Sequence, residues 1–203
     1  MQLYLIRHCE FVGQVEDRYA GIADFPLTQT GREQASALGK HLQSVQLQVL
    51  FTSPLARAHE TARLMAQELT PIPPVVVVEA LQEQNAYGIL SGVKRSEAIQ
   101  LFGHLMKEIP PHPGRSPEPL PGAEPFETFL LRVHQAFHHI VEMAQRQHVE
   151  RVAIVTHGGV LLTLFEHVLR VPDEIHHHVG AVNVVEYQPA QATLSAFFCA
   201  EHP

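Results

Sequence analysis

Basic side chains follow three short apolar runs in this sequence, each where a buried strand would end. Arg7 and His8 stand side by side after the first run, Arg57 comes a few residues after the second, and His157 follows the third. Charged groups at such places are costly unless a partner compensates them. Arginine matches phosphate oxygens with paired hydrogen bonds, and the glycines that begin with Gly158 let an anion approach the N–H groups of a helix start. These residue types therefore predict a phosphate pocket.

The elements that must position these side chains are strands alternating with helices. Apolar runs predict strands at residues 2–6, 49–51, 75–78, 152–155, 181–187 and 193–198. Capping patterns and apolar spacing predict helices from Thr30 to about Ser44, after Ser53-Pro54, from Glu124 and after His157. The alternation predicts an α/β fold, a three-layer sandwich with a mostly parallel central sheet and helices on both faces. Ligands bind such sheets at the carboxyl ends of the strands, where the basic residues lie.

The composition is that of a folded protein without nucleic-acid or membrane partners. With 203 residues, of which 45% are hydrophobic and 17% charged, the chain can bury a sizeable core. The net charge of -7 argues against nucleic-acid binding, although cations in a cleft can still hold a small anion. Cys9 and Cys199 form neither a disulfide framework nor a zinc spacing, and no secretory signal or membrane-spanning run is present. We expect one cytoplasmic domain over residues 1–203, and its oligomeric state is open.

Five motifs occur in order along nearly the whole chain. They are LIRHCE at 5–10, R-Y-A-G-x-x-D-x-P-L-T-x-x-G-x-x-Q-A at 18–35, TSPLARAHETA at 52–62, LQE at 81–83 and VTHGG at 155–159. This ordered set resembles the histidine phosphatase superfamily, also called the phosphoglycerate mutase-like family. The resemblance implies an enzyme that acts on a small phosphate ester without a cofactor or a metal ion.

The resemblance also implies a role for each matching residue. His8 attacks the phosphorus and becomes phosphohistidine. Glu83 protonates the leaving oxygen and then activates the water that hydrolyses the phosphoenzyme. The remaining candidates hold the phosphoryl oxygens, with Gln14 at a position where many members carry asparagine. The phosphate-binding set is Arg7, Gln14, Arg57, His157 and Gly158.

The sequence departs from the family pattern at three positions. Cys9 replaces the glycine that usually follows the histidine, which removes backbone freedom. Phe11 stands where many members have threonine, which removes a hydroxyl contact. Gly88 comes one residue later after Glu83 than the family pattern has it, so the placement of Glu83 depends on how the chain absorbs that residue.

Two other functions compete with a phosphomonoesterase. A phosphoglycerate mutase of this family adds a basic cluster after the glutamate, and residues 84–122 offer only Lys94, Arg95, Lys107 and Arg115. A non-catalytic phospholigand-binding protein would need neither a nucleophile nor a proton donor, yet both are present. A phosphatase is therefore favoured.

Substrate specificity is expected from two loops that cap the pocket, at about 9–25 and 84–122. Their larger apolar residues predict a partly apolar rim and a substrate with an aromatic or aliphatic body. These residues are Phe11, Tyr19, Phe25, Tyr87, Leu90 and Phe102.

Overall fold

A six-stranded mixed sheet organises the molecule. The computed structural model describes residues 1–106, 109, 113–171, 175, 177–188 and 191–199. The strands are β1 (Gln2–Arg7), β2 (Val49–Thr52), β3 (Val75–Val77), β4 (Arg151–Thr156), β5 (Ala181–Gln188) and β6 (Gln191–Cys199). Their order is β3-β2-β4-β1-β5-β6, with β1 to β4 mutually parallel and β5 and β6 joined antiparallel at one edge. The predicted mostly parallel sheet is confirmed.

Helices cover both faces of this sheet. They are α1 (Val12–Val15), α2 (Gln29–His41), α3 (Ala56–Gln67), α4 (Arg95–Met106), α5 (Phe126–Arg146) and α6 (Gly158–Thr163), which continues as the π-helical segment Leu164–Leu169. None of the helices in the described part of the chain is long and apolar enough to cross a membrane.

The alternation of side chains along β1 shows how the two cores are divided. Leu3 and Leu5 point into a core that they share with α5 and α6, whereas Tyr4 and Ile6 point into a second core shared with α2 and α3. Successive side chains of a strand face opposite sides of a sheet, so a central strand covered on both faces must be apolar throughout. The continuous apolar run that opens the chain has this cause.

Strand register brings the basic residues to one edge of the sheet. Arg7, the last residue of β1, pairs with Thr156, the last residue of β4. The His8 N–H then donates to the Thr156 carbonyl at 2.9 Å, and the Ser53 N–H donates to the Val155 carbonyl at 3.1 Å. The three strand ends are thus hydrogen-bonded to one another, and their following residues lie side by side.

The starts of helices α2 and α3 differ from the sequence prediction because side chains from distant segments compete for them. Helix α2 begins at Gln29, capped by Thr28, whose hydroxyl accepts from the Gly31 N–H at 2.9 Å and donates to a Glu10 carboxylate oxygen at 2.6 Å. The predicted cap at Thr30 is therefore wrong by two residues. Helix α2 also ends at His41, short of Ser44, because a 3₁₀ turn follows.

Helix α3 begins at Ala56 and not directly after Ser53. Asp24 accepts the Ala56 N–H at 2.7 Å and so satisfies the helix start from another loop. The Ser53 hydroxyl is instead engaged by His157, as described below. Helix α5 likewise begins at Phe126, two residues after the predicted start at Glu124.

The two predicted cap loops contain more structure than their sequences indicate. The first holds the short helix α1, and the second holds α4 and two 3₁₀ turns, Gly88–Leu90 and Pro113–Arg115. A small apolar cluster ties these segments together through Tyr19, Leu90, Ala98 and Leu120. Lys107 and residues 110–112 lie outside the described residues.

Candidate active site

A cleft of about 490 Å³ opens at the carboxyl ends of β1, β2 and β4. It is lined by Arg7 and His8 at the end of β1, by Arg57 in the first turn of α3, by Gln14 from the first cap segment and by Glu83 just before the second. Its other lining residues are Phe11, Asp17, Arg18, Ala20, Gly21, Gln84, Ala86, Tyr87, Arg95, Pro113, Gly114, Arg115 and Gly159. Five of the seven residues singled out in the sequence therefore line one cleft, and the other two, His157 and Gly158, lie directly behind it.

His8 is held as a neutral imidazole with one defined tautomer. Its side chain is buried, and Nδ1 lies 2.8 Å from the Cys9 carbonyl oxygen, which can only accept. Nδ1 therefore carries the hydrogen, and Nε2 keeps the lone pair. Burial, together with the charges of Arg57 and Arg7, holds the pKa of His8 well below its usual value. A neutral imidazole with a free Nε2 has the electronic state of a nucleophile.

Arg57 is the largest charged side chain buried at the site. Its guanidinium donates to the carbonyls of Ala23 at 3.0 Å and Gly21 at 2.8 Å, which fixes it against the first cap segment. Burial lowers the pKa of Arg57 to about 10, while Glu83 and Asp24 act in the opposite direction. Arg57 thus remains charged at neutral pH. Its Nε is buried and has no hydrogen-bond partner among the described residues.

The guanidinium of Arg7, at the end of β1, is likewise fixed by a backbone carbonyl. Its Nη1 donates to the carbonyl oxygen of His177, and Gly158 packs against the guanidinium. Burial lowers the pKa of Arg7, and the Glu83 carboxylate opposes that effect. The Nε atom of Arg7 is also buried without a partner in the described part of the chain.

His157 completes the group from beneath the cleft. It is fully buried, and its ring centroid lies 5.1 Å from that of His8. Its Nε2 lies 2.7 Å from the Ser53 hydroxyl oxygen, which also accepts from the Leu55 N–H. When the serine hydroxyl donates its hydrogen to Nε2, the hydrogen of the imidazole lies on Nδ1. Burial and the neighbouring arginines hold the pKa of His157 well below its usual value, and Nδ1 has no partner within the described residues.

Glu83 reaches the cleft from the short segment after β3. One carboxylate oxygen accepts the Gln84 N–H at 2.9 Å and the other accepts the Gly159 N–H at 3.1 Å. One N–H group of the first turn of α6 thus donates to this carboxylate. A Cβ on Gly159 would lie 3.2 Å from Glu83 Cδ and closer still to one of its oxygens, so a side chain at this position would displace the carboxylate.

The shifted glycine does not keep Glu83 out of the cleft. Gly88 adopts a positive φ of 50°, and a Cβ at this position would collide with the carbonyl of Pro121. The extra residue between Glu83 and Gly88 is accommodated in a turn that packs against the segment before α5. The glycine is needed for its backbone conformation and for this close approach.

Phe11, a departure from the family pattern, packs inside the site. Its ring meets the His8 ring edge-on with centroids 5.0 Å apart, and the Arg57 guanidinium carbon lies 5.0 Å from its centroid. The position where the family pattern led us to expect a hydroxyl is therefore apolar here, and it contacts both the imidazole and an arginine. Cys9 is buried beside it and donates its N–H to the Thr61 hydroxyl at 3.1 Å.

The predicted apolar rim is wrong for most of its members. Tyr19 and Leu90, with Phe102, pack into the cap cluster, and Phe25 packs against the α2–α3 core. Only Phe11 and Tyr87 line the cleft. The cap segments bury their own apolar side chains because they must form a small core of their own.

Three arginines that sequence reasoning did not place in the site take up the rim instead. Arg18, Arg95 and Arg115 line the cleft, each with one acidic partner: Glu16 at 2.6 Å, Asp17 at 3.1 Å and Glu166 at 2.5 Å. Their signal was present in the sequence, since Arg18 opens the second motif and the other two lie in the cap segment at 84–122. Within the described residues no group of three or more metal-ligating side chains is placed to hold a metal ion.

The fold and the site together define an α/β protein that gathers buried arginines and histidines at the carboxyl edge of its sheet. A family model described as the histidine phosphatase superfamily (branch 1) matches residues 3–199. The chain belongs to this superfamily, so the resemblance seen in the five motifs is confirmed. The expected class of function, phosphoryl chemistry on small phosphate esters, is confirmed with it.

Relatives within the superfamily include both mutases and phosphatases. The chain is 32% identical to a 2,3-bisphosphoglycerate-dependent phosphoglycerate mutase 2 of Gloeobacter violaceus, over 78% of this chain and 71% of that protein. It is 28% identical to an adenosylcobalamin/alpha-ribazole phosphatase of Escherichia coli, over 96% and 94% of the two chains. The solved alpha-ribazole phosphatase of Shigella flexneri superposes with a TM-score of 0.77 at 27% identity, over 100% of this chain and 97% of that one.

Proposed function

We propose that the protein is a phosphomonoesterase that hydrolyses a small phosphate ester through a phosphohistidine on His8. The observation that carries the proposal is a set of three buried nitrogen atoms without partners in the described chain: Arg7 Nε, Arg57 Nε and His157 Nδ1. Buried donors are almost always hydrogen-bonded, so such a set beside a neutral imidazole favours an anionic ligand that completes it. A phosphoryl group has the charge and the oxygens to do so.

The first step transfers the phosphoryl group to the protein. His8 Nε2 forms a bond to phosphorus, the bond from phosphorus to the ester oxygen breaks, and Glu83 gives its proton to that oxygen. Arg7 and Arg57 neutralise the charge on the equatorial oxygens as it develops, and the neutral His157 donates a hydrogen bond to them. Gln14 and the backbone at Gly158 are the further phosphate contacts in this proposal.

The second step returns the protein to its starting state. Glu83, now a carboxylate, takes a proton from water while the water oxygen bonds to phosphorus and the bond to His8 Nε2 breaks. Inorganic phosphate leaves and the imidazole is neutral again. The buried arginines favour this neutral form throughout, because they raise the free energy of an imidazolium next to them.

A mutase is the second candidate, and the rim arginines are the observation that favours it. Arg18, Arg95 and Arg115 at the cleft are suited to a substrate that carries a second anionic group beyond the phosphate. A mutase would return the phosphoryl group to such a substrate and would exclude water. A pure binding protein fits less well, since His8 and Glu83 line the same cleft.

The test is a phosphoenzyme trap. The protein is mixed with 4-nitrophenyl phosphate in excess chelator, quenched rapidly and analysed by mass for an acid-labile phosphoryl adduct. His8→Ala should abolish the adduct, whereas His59→Ala, an exposed histidine on α3, should retain it. A faster conversion of 3-phosphoglycerate to 2-phosphoglycerate than release of phosphate would identify the mutase. Binding of phosphate esters without adduct or turnover would contradict both enzymes.

A further inference from the structure

The guanidinium of Arg132 on α5 donates hydrogen bonds to Glu124 and to the backbone carbonyls of the segment 80–83. Its Nε and Nη2 donate to the two carboxylate oxygens of Glu124, each at 2.7 Å. Nη1 donates to the carbonyls of Ala80 at 2.9 Å and Gln82 at 2.7 Å, and Nη2 also donates to the Glu83 carbonyl at 3.1 Å. An arginine has five N–H donors, and this geometry engages all of them. Arg132 therefore has no donor left for a substrate.

The three carbonyls belong to the segment that carries Glu83 into the cleft. Within the described residues no backbone N–H donates to the carbonyls of Ala80, Gln82 or Glu83. Outside the 3₁₀ turn Glu79–Leu81 the segment has no regular structure to orient it. Arg132 thus supplies the hydrogen bonds that a strand or helix would otherwise give. The Arg132 and Glu124 side chains are only 17% and 19% exposed, so water competes weakly for these bonds.

Glu124 holds the chain on the other side of the glutamate. Its carbonyl accepts from Gln84 Nε2 at 3.0 Å, and its N–H donates to the Asn85 carbonyl at 2.9 Å. Gln84 Nε2 also donates to the Gly114 carbonyl at 2.8 Å. The residues before and after Glu83 are therefore tied to the same ion pair, and the carboxylate itself is free to face the cleft.

We propose that Arg132 and Glu124 form a positioning pair for Glu83, and that they set the reach of its carboxyl group without touching the substrate. The inference rests on the proposed function, because it assigns Glu83 the proton transfer of that mechanism. The fork geometry is essential, since a lysine at this position has three donors and cannot grip a carboxylate and three carbonyls together. A displacement of the carboxyl group by about 1 Å is enough to reduce proton transfer strongly.

Leaving-group dependence tests the proposal with Arg132→Lys and Glu124→Gln. The 4-nitrophenolate leaving group is stable as an anion and needs little protonation, whereas an alkyl phosphate such as glycerol phosphate needs a proton from Glu83. We expect kcat/KM, which covers the steps up to the phosphoenzyme, to fall about 10- to 100-fold for the alkyl ester and much less for the aryl ester. Arg146→Lys is the matched control, since Arg146 pairs with Glu142 on the exposed side of the same helix.

Equal losses on both esters, or no loss on either, would overturn the proposal. A double variant gives a second criterion. If Arg132 acts through Glu83, adding Arg132→Lys to Glu83→Gln causes no further loss on the alkyl ester, whereas multiplied losses would show independent roles.

Hydrogen exchange separates this proposal from the proposed function. Backbone exchange at residues 79–86 should be faster in Arg132→Lys and Glu124→Gln than in Arg146→Lys, with β2 and β4 unchanged. If the wild-type protein hydrolyses no phosphate ester, the proposed function fails while this readout still shows whether the pair holds the segment. Unchanged exchange at 79–86 in both variants would overturn the positioning role.

Discussion

Replacing Gly159 by alanine should displace the carboxylate of Glu83, the proposed proton donor, without changing Glu83 itself. The added Cβ would lie 3.2 Å from Glu83 Cδ and in closer collision with one carboxylate oxygen. The Gly159 N–H, which donates to the other oxygen at 3.1 Å, holds the carboxylate against this backbone. The carboxylate must therefore move away, and that hydrogen bond weakens as it does so.

The magnitude follows from the size of this displacement. Clearing the contact moves the carboxyl group by about 1 Å, and a misplacement of this size costs about 100-fold in rate, or about 2.7 kcal/mol in the barrier. Helix stability changes in the opposite direction, because alanine is a better helix former than glycine by about 1 kcal/mol. Loss of folding therefore does not account for the expected loss of activity.

Two other glycines make matched controls. A Cβ on Gly158 would lie 3.4 Å from the Arg7 guanidinium carbon, an ordinary contact, and a Cβ on Gly103 in α4 would meet nothing within 4 Å. The assay is kcat/KM on an alkyl phosphate beside thermal unfolding of each variant. We expect the largest loss in Gly159→Ala, a smaller one in Gly158→Ala and none in Gly103→Ala. Wild-type turnover by a folded Gly159→Ala would refute the assignment of Glu83.

Three further predictions concern the buried bases and cations. Burial lowers the pKa of His8 and His157 in the folded protein, so below about pH 6.5 the unfolded chain binds more protons than the folded one. The free energy of unfolding should therefore fall by up to about 2.7 kcal/mol per pH unit as the pH drops below that value. Urea unfolding at several pH values measures how steeply the free energy of unfolding depends on pH. This dependence should be about half as steep in His157→Gln as in the wild type, and an equal steepness would contradict the prediction. Arg57→Lys loses the bonds to two carbonyls and the fork toward phosphate, so kcat/KM should fall about 100- to 1000-fold while Arg63→Lys, exposed on the same helix, stays at the wild-type value. Ser53→Ala removes the partner of His157 Nε2 and should weaken inhibition by inorganic phosphate together with turnover; unchanged phosphate inhibition would count against a role for His157 in phosphate binding.

The candidate site could be anticipated because its residues sit at fixed places along the chain. Arg7 and His157 follow apolar strands, and parallel strands end at one edge of a sheet, so sequence position alone brings them together. Helix starts were less predictable. Thr28 caps α2 while it contacts Glu10, and Asp24 caps α3 by accepting the Ala56 N–H from a separate loop. Both contacts join distant parts of the chain, so no local sequence pattern indicates them.

The specificity surface could not be anticipated, because exposure is decided by how loops fold on one another. Tyr19 and Leu90 resemble rim residues in the sequence, yet they pack into a cluster of their own and leave Arg95 at the cleft. The same is true of Arg132, whose spacing from Glu124 on the chain gives no sign that both lie beside Glu83.

By itself, the sequence determined the α/β fold, the superfamily, and which histidines and arginines stand at the strand ends. These properties depend on local patterning and on the order of motifs, which a linear chain carries in full. Only the tertiary structure decided how Glu83 reaches the cleft, which cations form its rim and which donors are left without a partner. Those properties depend on contacts between distant segments, and hydrogen bonds and burial exist only once the segments have met.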